Sequence, residues 1–285
     1  MSNTPQVPGF EILEKLGEDS DTAQWKARQL SLKRVVLLKI VKPHLAGHKE
    51  VLETFIRNAR AASAIKHPCL TQIYDVGQDE ERVYFVTEYV NGPSLAQVLG
   101  SSGKLDQKRA LHLARSVAEA LDSAWNTAKI FHGNIKPAHI LFDEDNTVKL
   151  TGLGFDLRAG DTEGDDGDTL IEGTPNYMSP EQAQGRRGLD YRTDMYALGA
   201  TLYHAVTGKL PFGDSEPEEV LRKQVEAQLK NPREINRTLS VGFVQLLTRL
   251  MRKSPEHRYK DWAAALAEIR KTAAGKLVVP QSGAQ

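Results

Sequence analysis

The stretch from residue 131 to residue 154 reads FHGNIKPAHILFDEDNTVKLTGLG, and it decides how the rest of the chain is interpreted. It opens with a histidine, an asparagine and a lysine at alternate positions, from His132 to Lys136. The apolar runs ILF and VKL then flank a polar turn and predict a short β-hairpin. The stretch ends on two glycines, Gly152 and Gly154, with one leucine between them.

This stretch resembles the catalytic core of a protein kinase. The pattern in that family is H-R-D-x-K-P-x-N, followed by a short hairpin and D-F-G. The chain keeps the family residue at His132, Lys136, Pro137 and Gly154.

The chain departs from the family pattern at the positions of the catalytic and magnesium-binding residues. Asn134 stands at the position of the catalytic aspartate, and an amide has no carboxylate with which to accept a proton. His139 and Gly152 stand at the positions of the two magnesium ligands. Mg²⁺ prefers oxygen ligands, so glycine offers it nothing and a histidine nitrogen suits transition metals better. Two interpretations of His139 remain open: a repurposed metal ligand, or a side chain that fills the asparagine site by hydrogen bonding.

Further motifs follow in the order and spacing of the family, and together they cover about residues 8–272. They resemble most closely the bacterial Hanks-type serine/threonine kinases. The motifs are FVTEYVNGPSL (85–95) as the hinge, HGNIKPAHILF (132–142) as the catalytic loop, GTPNYMSPEQ (173–182) as the end of the activation segment, DYRTDMYALGATLYHAVTGKLPF (190–212) as the central helix, and SPEHRY (254–259) before the last helix.

The residue patterns agree with the α+β fold that this resemblance implies, with a β-rich N-lobe holding one main helix and a larger helical C-lobe. Strands are predicted at 10–17, 22–29, 34–41, 70–77 and 82–90, and helices at 48–66, 107–127, 192–207, 217–228, 241–252 and 261–272. The predicted units are an N-terminal extension (1–9), the N-lobe (10–90), the C-lobe (91–272) and a tail or linker (273–285).

Composition excludes several classes of protein. The 285 residues contain 37 basic and 37 acidic side chains, so no net field favours nucleic acid or an anionic membrane. The single cysteine, Cys69, excludes an internal disulfide framework and suits a reducing compartment. No apolar run reaches the roughly 20 residues of a membrane span, and the N-terminus does not resemble a signal peptide. We therefore expect a cytoplasmic protein without membrane insertion or nucleic-acid binding.

The nucleotide site of the family also looks altered. Its glycine-rich loop appears as GEDSDT, which keeps Gly17 but adds three carboxylates, Glu18, Asp19 and Asp21, where phosphate would approach. In the adenine pocket, Leu37 replaces a small alanine, and Gln24 stands where an apolar valine roofs the base.

The resemblance implies six positions at which nucleotide would be contacted if the pocket remains open. The lysine of the family survives, but its glutamate partner on the main helix maps to Asn58, which leaves either a solvated or a rewired lysine. The six positions are Lys39, Gly17, Thr87 at the gatekeeper position, Glu88, Val90 and Lys136.

The resemblance implies structural roles for three further residues. Asp194 is expected to hydrogen-bond the catalytic-loop backbone, and Glu181 to pair with Arg258 beneath the activation segment. Gly133 replaces the arginine that clamps an activation-segment phosphate. The segment itself is acidic, which predicts a solvated loop or a docking surface for a basic partner; its carboxylates are Asp161, Glu163, Asp165, Asp166 and Asp168.

Three functions are compatible with this sequence. The first is a pseudokinase that serves as a protein-binding, scaffolding or regulatory module, with no cofactor and no metal. The second is a weak or unorthodox kinase that binds ATP or ADP, with or without Mg²⁺. The third is a regulatory subunit that binds an active kinase or a peptide segment.

Overall fold

The alternating runs near the N-terminus fold into one antiparallel sheet. The computed structural model describes residues 4–18, 22–46, 49–79, 82–154, 174–213 and 215–275. The sheet has the order β1-β2-β3-β5-β4, and its strands are β1 (Phe10–Glu18), β2 (Thr22–Gln29), β3 (Arg34–Val41), β4 (Ile73–Gln78) and β5 (Val83–Glu88). The first three strands have the predicted bounds to within one residue, and the other two are shorter than predicted.

The two faces of this sheet bury different sets of side chains. Val36 and Leu38 lie in an apolar cluster on one face, together with Val7 from the N-terminal extension. Because side chains alternate along a strand, Leu37 and Lys39 face the opposite side, towards helix α2 (Lys49–Ser63) and the second lobe.

The rest of the described chain is mostly helical. The helices are α1 (Pro43–Ala46), α2 (Lys49–Ser63), α3 (Leu95–Ser102), α4 (Gln107–Ala128), α5 (Pro180–Ala183), α6 (Tyr191–Thr207), α7 (Pro217–Glu226), α8 (Pro232–Ile235), α9 (Val241–Leu250) and α10 (Trp262–Ala273), with single 3₁₀ turns at Pro137–His139, Pro175–Tyr177 and Pro255–His257. A hairpin of β6 (Ile140–Phe142) and β7 (Val148–Leu150) follows the first of these turns. The architecture confirms the two-lobed α+β class.

Helix α6 forms the centre of the helical lobe. Nearly every residue along it is buried, as is typical of a helix surrounded by other elements. Asp190 caps its N-terminus by accepting a hydrogen bond from the amide of Arg192, and Gly208 ends it in the left-handed conformation. The helix therefore holds its acidic residue, Asp194, in a fixed position beneath the catalytic loop.

Several helical segments differ from the prediction, among them the four-residue helices α1, α5 and α8, which were not predicted. Helix α3 was not predicted, although Ser94 and Gln97 form a capping box at its start. Helix α2 ends at Ser63 rather than 66, because the amides of Ala64 and Ile65 bond three residues back in a tighter turn.

None of the helices in the described ranges is both long and apolar enough to cross a membrane.

Candidate functional site

The catalytic loop is held from below by a buried carboxylate. Asp194 accepts hydrogen bonds from the amides of His132 and Gly133, each at 2.6 Å. Holding two adjacent amides on one carboxylate places Gly133 at φ +75°, a left-handed conformation that glycine adopts without strain. The contact that the resemblance implied for Asp194 is therefore present.

Two histidines complete the hydrogen bonding of this loop. The Nδ1 atom of His132 accepts from the amide of Asn134 at 3.2 Å, so its proton is assigned to Nε2, which donates to the carbonyl of Thr151 at 2.9 Å. The Nδ1 atom of His139 donates to the carbonyl of Asn134 at 2.7 Å. His139 thus holds the backbone at the very position where the family has its catalytic aspartate.

The surroundings of His139 keep its ring neutral. Burial lowers the pKa of His139 well below its usual value, and the positive charges of Lys136 and Lys39 lower it further, together with the neighbouring His132. Within the described residues, no group of three or more His, Cys, Asp or Glu side chains is placed to hold a metal ion.

Gly152 occupies the other magnesium-ligand position and lies beside the same two rings. A Cβ placed there would lie 3.5 Å from the ring of His132 and 3.7 Å from Nδ1 of His139. Its φ of +99° is one that residues with a side chain rarely adopt. The residues at the two ligand positions therefore do not fit a magnesium site, because Gly152 offers no side chain and His139 is a neutral imidazole.

A small cavity borders Asn134. A cavity of only about 10 Å³, about the room of one water molecule, lies between Asn134, Thr174, Tyr177 and neighbouring residues. Lys136 borders the same region and donates to the hydroxyl of Thr174 at 3.0 Å. This contact ties the catalytic loop to the end of the activation segment.

The inner face of the sheet carries the surviving lysine. Lys39 lies on β3 opposite Gln24 and is only 6% exposed, which excludes the solvated lysine that was one of the two expectations. Leu37, on the same face, is also buried and lies opposite Thr87. The hydroxyl of Thr87 is buried without a hydrogen-bond partner, so one polar group on this face is left for a ligand or water.

Helix α2 packs against Gly154, which stands at the last position of the D-F-G motif. A Cβ on Gly154 would lie 2.8 Å from that of Ala62 and 3.1 Å from the carbonyl oxygen of Asn58. The helix is therefore close to the site, but Asn58 provides an amide where the family provides a carboxylate. No ion pair between Lys39 and this position is possible.

The hinge contains a contact that the sequence did not reveal. Glu88 was predicted as a nucleotide position, and its carboxylate accepts from the ammonium of Lys149 at 2.7 Å. Val90 is buried, and a Cβ on Gly92 would lie 1.8 Å from the carbonyl oxygen of Phe142, so the hinge backbone lies directly on β6. Because Glu88 and Lys149 are 61 positions apart, no local pattern could have paired them.

The strand that leads into the glycine-rich position is described only up to Glu18. Gly17 faces open space, and Glu18 pairs with Lys15 at 2.8 Å on the surface. Lys15 lowers the pKa of Glu18 through this hydrogen bond and its charge. Asp19 and Asp21 lie outside the described residues, as does the whole acidic run of the activation segment.

The predicted ion pair beneath the activation segment is present and fully buried. Arg258 donates to both carboxylate oxygens of Glu181, at 2.6 and 2.7 Å. The hydroxyl of Thr193 also donates to Glu181, and the rest of the guanidinium donates to backbone carbonyls of residues 192, 252 and 253. All charges of this pair are therefore satisfied, as a buried ion pair requires.

Comparisons with known proteins agree with the two-lobed fold. Residues 10–269 match the protein kinase domain family. The chain is 32% identical over 262 residues to a probable serine/threonine-protein kinase of Clostridium perfringens, 34% over 273 residues to pkn3 of Myxococcus xanthus, and 29% over 261 residues to PrkC of Bacillus subtilis. Each comparison covers 92% of this chain.

These relatives are longer than the chain. The matched region makes up 38%, 49% and 40% of the three proteins, so the chain spans less than half the length of the curated relatives it matches. Among solved structures, the kinase domain of PknI from Mycobacterium tuberculosis covers 96% of this chain with a TM-score of 0.74 at 19% identity. At that identity the likeness shows a shared fold.

Proposed function

This chain belongs to the protein kinase family, and on that premise we propose that it is a pseudokinase of the bacterial serine/threonine type. It acts as a protein-binding, scaffolding or regulatory module in kinase-type signalling, without efficient phosphoryl transfer. The observation that carries the proposal is the hydrogen bond from His139 to the carbonyl of Asn134, which uses a magnesium-ligand position to hold the loop together.

The losses act on separate steps of the reaction. Phosphoryl transfer in this fold depends on positioning, on metal ions that neutralise charge, and on a carboxylate that accepts the substrate proton. Losing the general base alone costs roughly 10²–10⁴ in rate, which still permits a slow enzyme. Losing both metal ligands at Gly152 and His139 removes a second, independent contribution. The two losses multiply, which favours a binding role over a catalytic one.

The segment GTPNYMSPEQ (173–182) corresponds to the surface on which active relatives bind peptide, and we call it the floor. Its hydrogen bonds support the proposal of a protein partner. The side chain of Gln182 donates to the carbonyl of Gly133 at 2.8 Å, and that of Gln224 donates to the carbonyl of Pro175 at 2.8 Å. The hydroxyl of Tyr177 bonds to Nδ1 of His204 at 2.7 Å. An ordered floor of this kind suits an active kinase or a peptide segment as the bound partner.

A second candidate is binding of ATP or ADP without Mg²⁺. The observations that favour it are the buried ammonium of Lys39 and the unpartnered hydroxyl of Thr87 on the inner face of the sheet. An ammonium on this face attracts phosphate oxygens. The bulk of Leu37 opposes this candidate because it reduces the room for a base.

Transfer of labelled phosphate from ATP tests the proposal. Purified protein is incubated with labelled ATP and Mg²⁺, alone and with a generic acceptor protein, beside a Lys39→Ala variant as the matched control. We expect incorporation no higher than in the variant. Incorporation that exceeds it at least tenfold would establish a kinase and overturn the proposal.

A separate experiment tests whether the protein binds a kinase partner and whether that binding depends on the floor. Binding of active bacterial serine/threonine kinase domains is measured by calorimetry for the wild type and for Gln224→Ala, which removes one support of the floor. We expect binding that the variant weakens. Absence of binding to any kinase domain would remove the regulatory-subunit version and leave other protein partners to be sought.

A further inference from the structure

A groove of about 590 Å³ lies on the helical lobe and shares no residue with the catalytic loop or the floor. One wall is the segment that connects helices α7 and α8, and it contributes Leu229, Lys230 and Pro232. The other wall is helix α9 from Val244 onward, with the turn that follows the helix at Arg252. We call this groove the α9 groove.

The base of the α9 groove is apolar, and the apolar surface continues beyond it. Leu229 packs against a cluster of buried aromatic and apolar side chains. Pro232 and Val244 also line the groove. Each has an exposed apolar neighbour three positions away on its helix, which is Ile235 (36% exposed) for the first and Val241 (49% exposed) for the second. Residues three apart are neighbours on a helix surface, so apolar side chains extend from the groove onto the surface, as is typical of an interaction site.

The rim of the α9 groove is basic. Among the described residues that line the groove, Lys230, Arg252 and Lys253 are positively charged, whereas Glu226 is the single carboxylate. Glu226 and Lys230 each form an exposed pair with a residue four positions away, and such pairs contribute little to stability. The charges of these two pairs cancel. Arg252 and Lys253 therefore leave the lining with a net positive charge.

The wall between α7 and α8 is held in place near both of its ends. The ammonium of Lys253 donates to the carbonyl of Gln224 at 2.6 Å. Burial and the charge of Arg258 lower the pKa of Lys253 to about 8, so this side chain is still an ammonium at neutral pH. At the other end, the side chain of Asn236 donates to the carbonyl of Val206 in α6 at 2.8 Å. A groove that is formed in advance lowers the entropic cost of binding a ligand.

We infer that the α9 groove binds a short acidic peptide segment of a partner protein. An apolar side chain of the peptide packs on Leu229 and Val244, and its carboxylates face Lys230 and Arg252. Charge complementarity selects this occupant, because a basic peptide is repelled by the rim and a small anion makes no use of the apolar base. The inference goes beyond the proposed function, since the groove and the floor are separate surfaces.

Binding of synthetic peptides tests the inference. An array of short peptides that combine several carboxylates with a leucine, isoleucine or phenylalanine is probed with the labelled protein. A second array carries the same peptides with every carboxylate replaced by its amide. We expect a subset of the acidic peptides to bind, at least tenfold more tightly than their amide counterparts. If no acidic peptide binds more tightly than its amide counterpart, the inference is wrong.

A charge reversal on the rim locates the bound peptide. Arg252→Glu is expected to fold normally, because Arg252 is exposed and only its backbone carbonyl accepts from Arg258. The matched control is Arg270→Glu, which reverses an exposed cation on α10. We expect the dissociation constant of the tightest acidic peptide, measured by fluorescence polarisation, to rise at least tenfold in Arg252→Glu and to stay within twofold of the wild type in the control. Equal affinities in the two variants would place the peptide elsewhere and contradict the inference.

Sedimentation distinguishes a partner protein from a second copy of the chain as the occupant. The chain carries an acidic run of its own at 161–168, which makes a second copy the alternative. We expect the wild type and Arg252→Glu to sediment alike. Self-association of the wild type that Arg252→Glu abolishes would identify a second copy as the occupant and overturn the assignment to a partner protein.

Discussion

The residues beneath the catalytic loop and the residues on its cleft side differ in how far they match the family. The first group has the residues and contacts that the family resemblance implies, and the second does not. Beneath the loop, Asp194 and the pair of Glu181 with Arg258 are buried and fully bonded. On the cleft side, Nδ1 of His139 donates to the backbone carbonyl of Asn134, and neither residue has a carboxylate. Under the proposed function, the buried set supports the fold, and the cleft-facing set supports the loop but lacks the groups that active relatives use in the reaction.

The largest expected effect on stability comes from breaking the buried ion pair of Glu181 and Arg258. Arg258→Met leaves the carboxylate of Glu181 buried with a single hydroxyl donor, so we expect a loss of about 3–5 kcal/mol in the free energy of unfolding. Urea denaturation measures it. Arg222→Met is the matched control, because its pair is exposed and contributes at most about 1 kcal/mol. Equal losses in the two variants would show that the buried pair is dispensable.

The next largest effect tests whether the hydrogen bond of His139 stabilises the catalytic loop. His139→Leu leaves the partly buried carbonyl of Asn134 without its donor, and an unsatisfied buried group costs at most about 1–3 kcal/mol. His139→Asn restores a donor of the kind found in the family and should lose clearly less. The free energies of unfolding of both variants, measured in urea, decide the matter. A loss as large in His139→Asn as in His139→Leu would contradict the bonding role.

A smaller effect concerns the conformation of Gly133. Placing a Cβ at φ +75° costs about 1–2 kcal/mol, so Gly133→Ala is expected to lower the free energy of unfolding by that amount. Gly17→Ala is the control, because a Cβ there meets no atom within 4 Å and its φ is ordinary. If both variants are equally stable, Asp194 does not force the left-handed conformation on the loop.

The smallest effect is a pH dependence that comes from neutral histidines. Burial lowers the pKa of His139, His67 and His204 below the usual value of 6.5. Below pH 6.5 the unfolded chain therefore binds more protons at these sites than the folded protein, and stability falls as the pH falls. Urea midpoints at pH 7.5, 6.5 and 5.5 measure the trend, which His139→Asn should weaken. A midpoint independent of pH would contradict the neutral state of these rings.

Much of the fold could be predicted from the sequence because its signals are local. The strands β1 to β3 follow from alternation, and α4 from the helical spacing of its apolar residues, with Asp106 as its cap. Helix α3 also carried a local signal, in the capping box from Ser94 to Gln97, but the Asn-Gly-Pro break just before it masked that signal.

The candidate site could be predicted only in part. The positions of Asn134, His139 and Gly152 follow from their place in the motif, but the bond between the first two depends on a 3₁₀ turn that brings His139 back over the loop. The pairing of Glu88 with Lys149 depends on how the two lobes meet, since a hinge and a hairpin carry no common pattern. Burial of Lys39 likewise results from packing between sheet and helix, which the strand sequence does not specify.

The most direct test of the central claim is the effect of Mg²⁺ on ATP binding. Calorimetric titration of the wild type with ATP is carried out in Mg²⁺ and in EDTA, with Lys39→Ala as the control. Because Gly152 and His139 do not fit a magnesium site, we predict that Mg²⁺ does not tighten binding, whether ATP binds weakly or not at all. Binding that Mg²⁺ tightens at least tenfold, and that Lys39→Ala abolishes, would show that the metal site is intact and contradict the account.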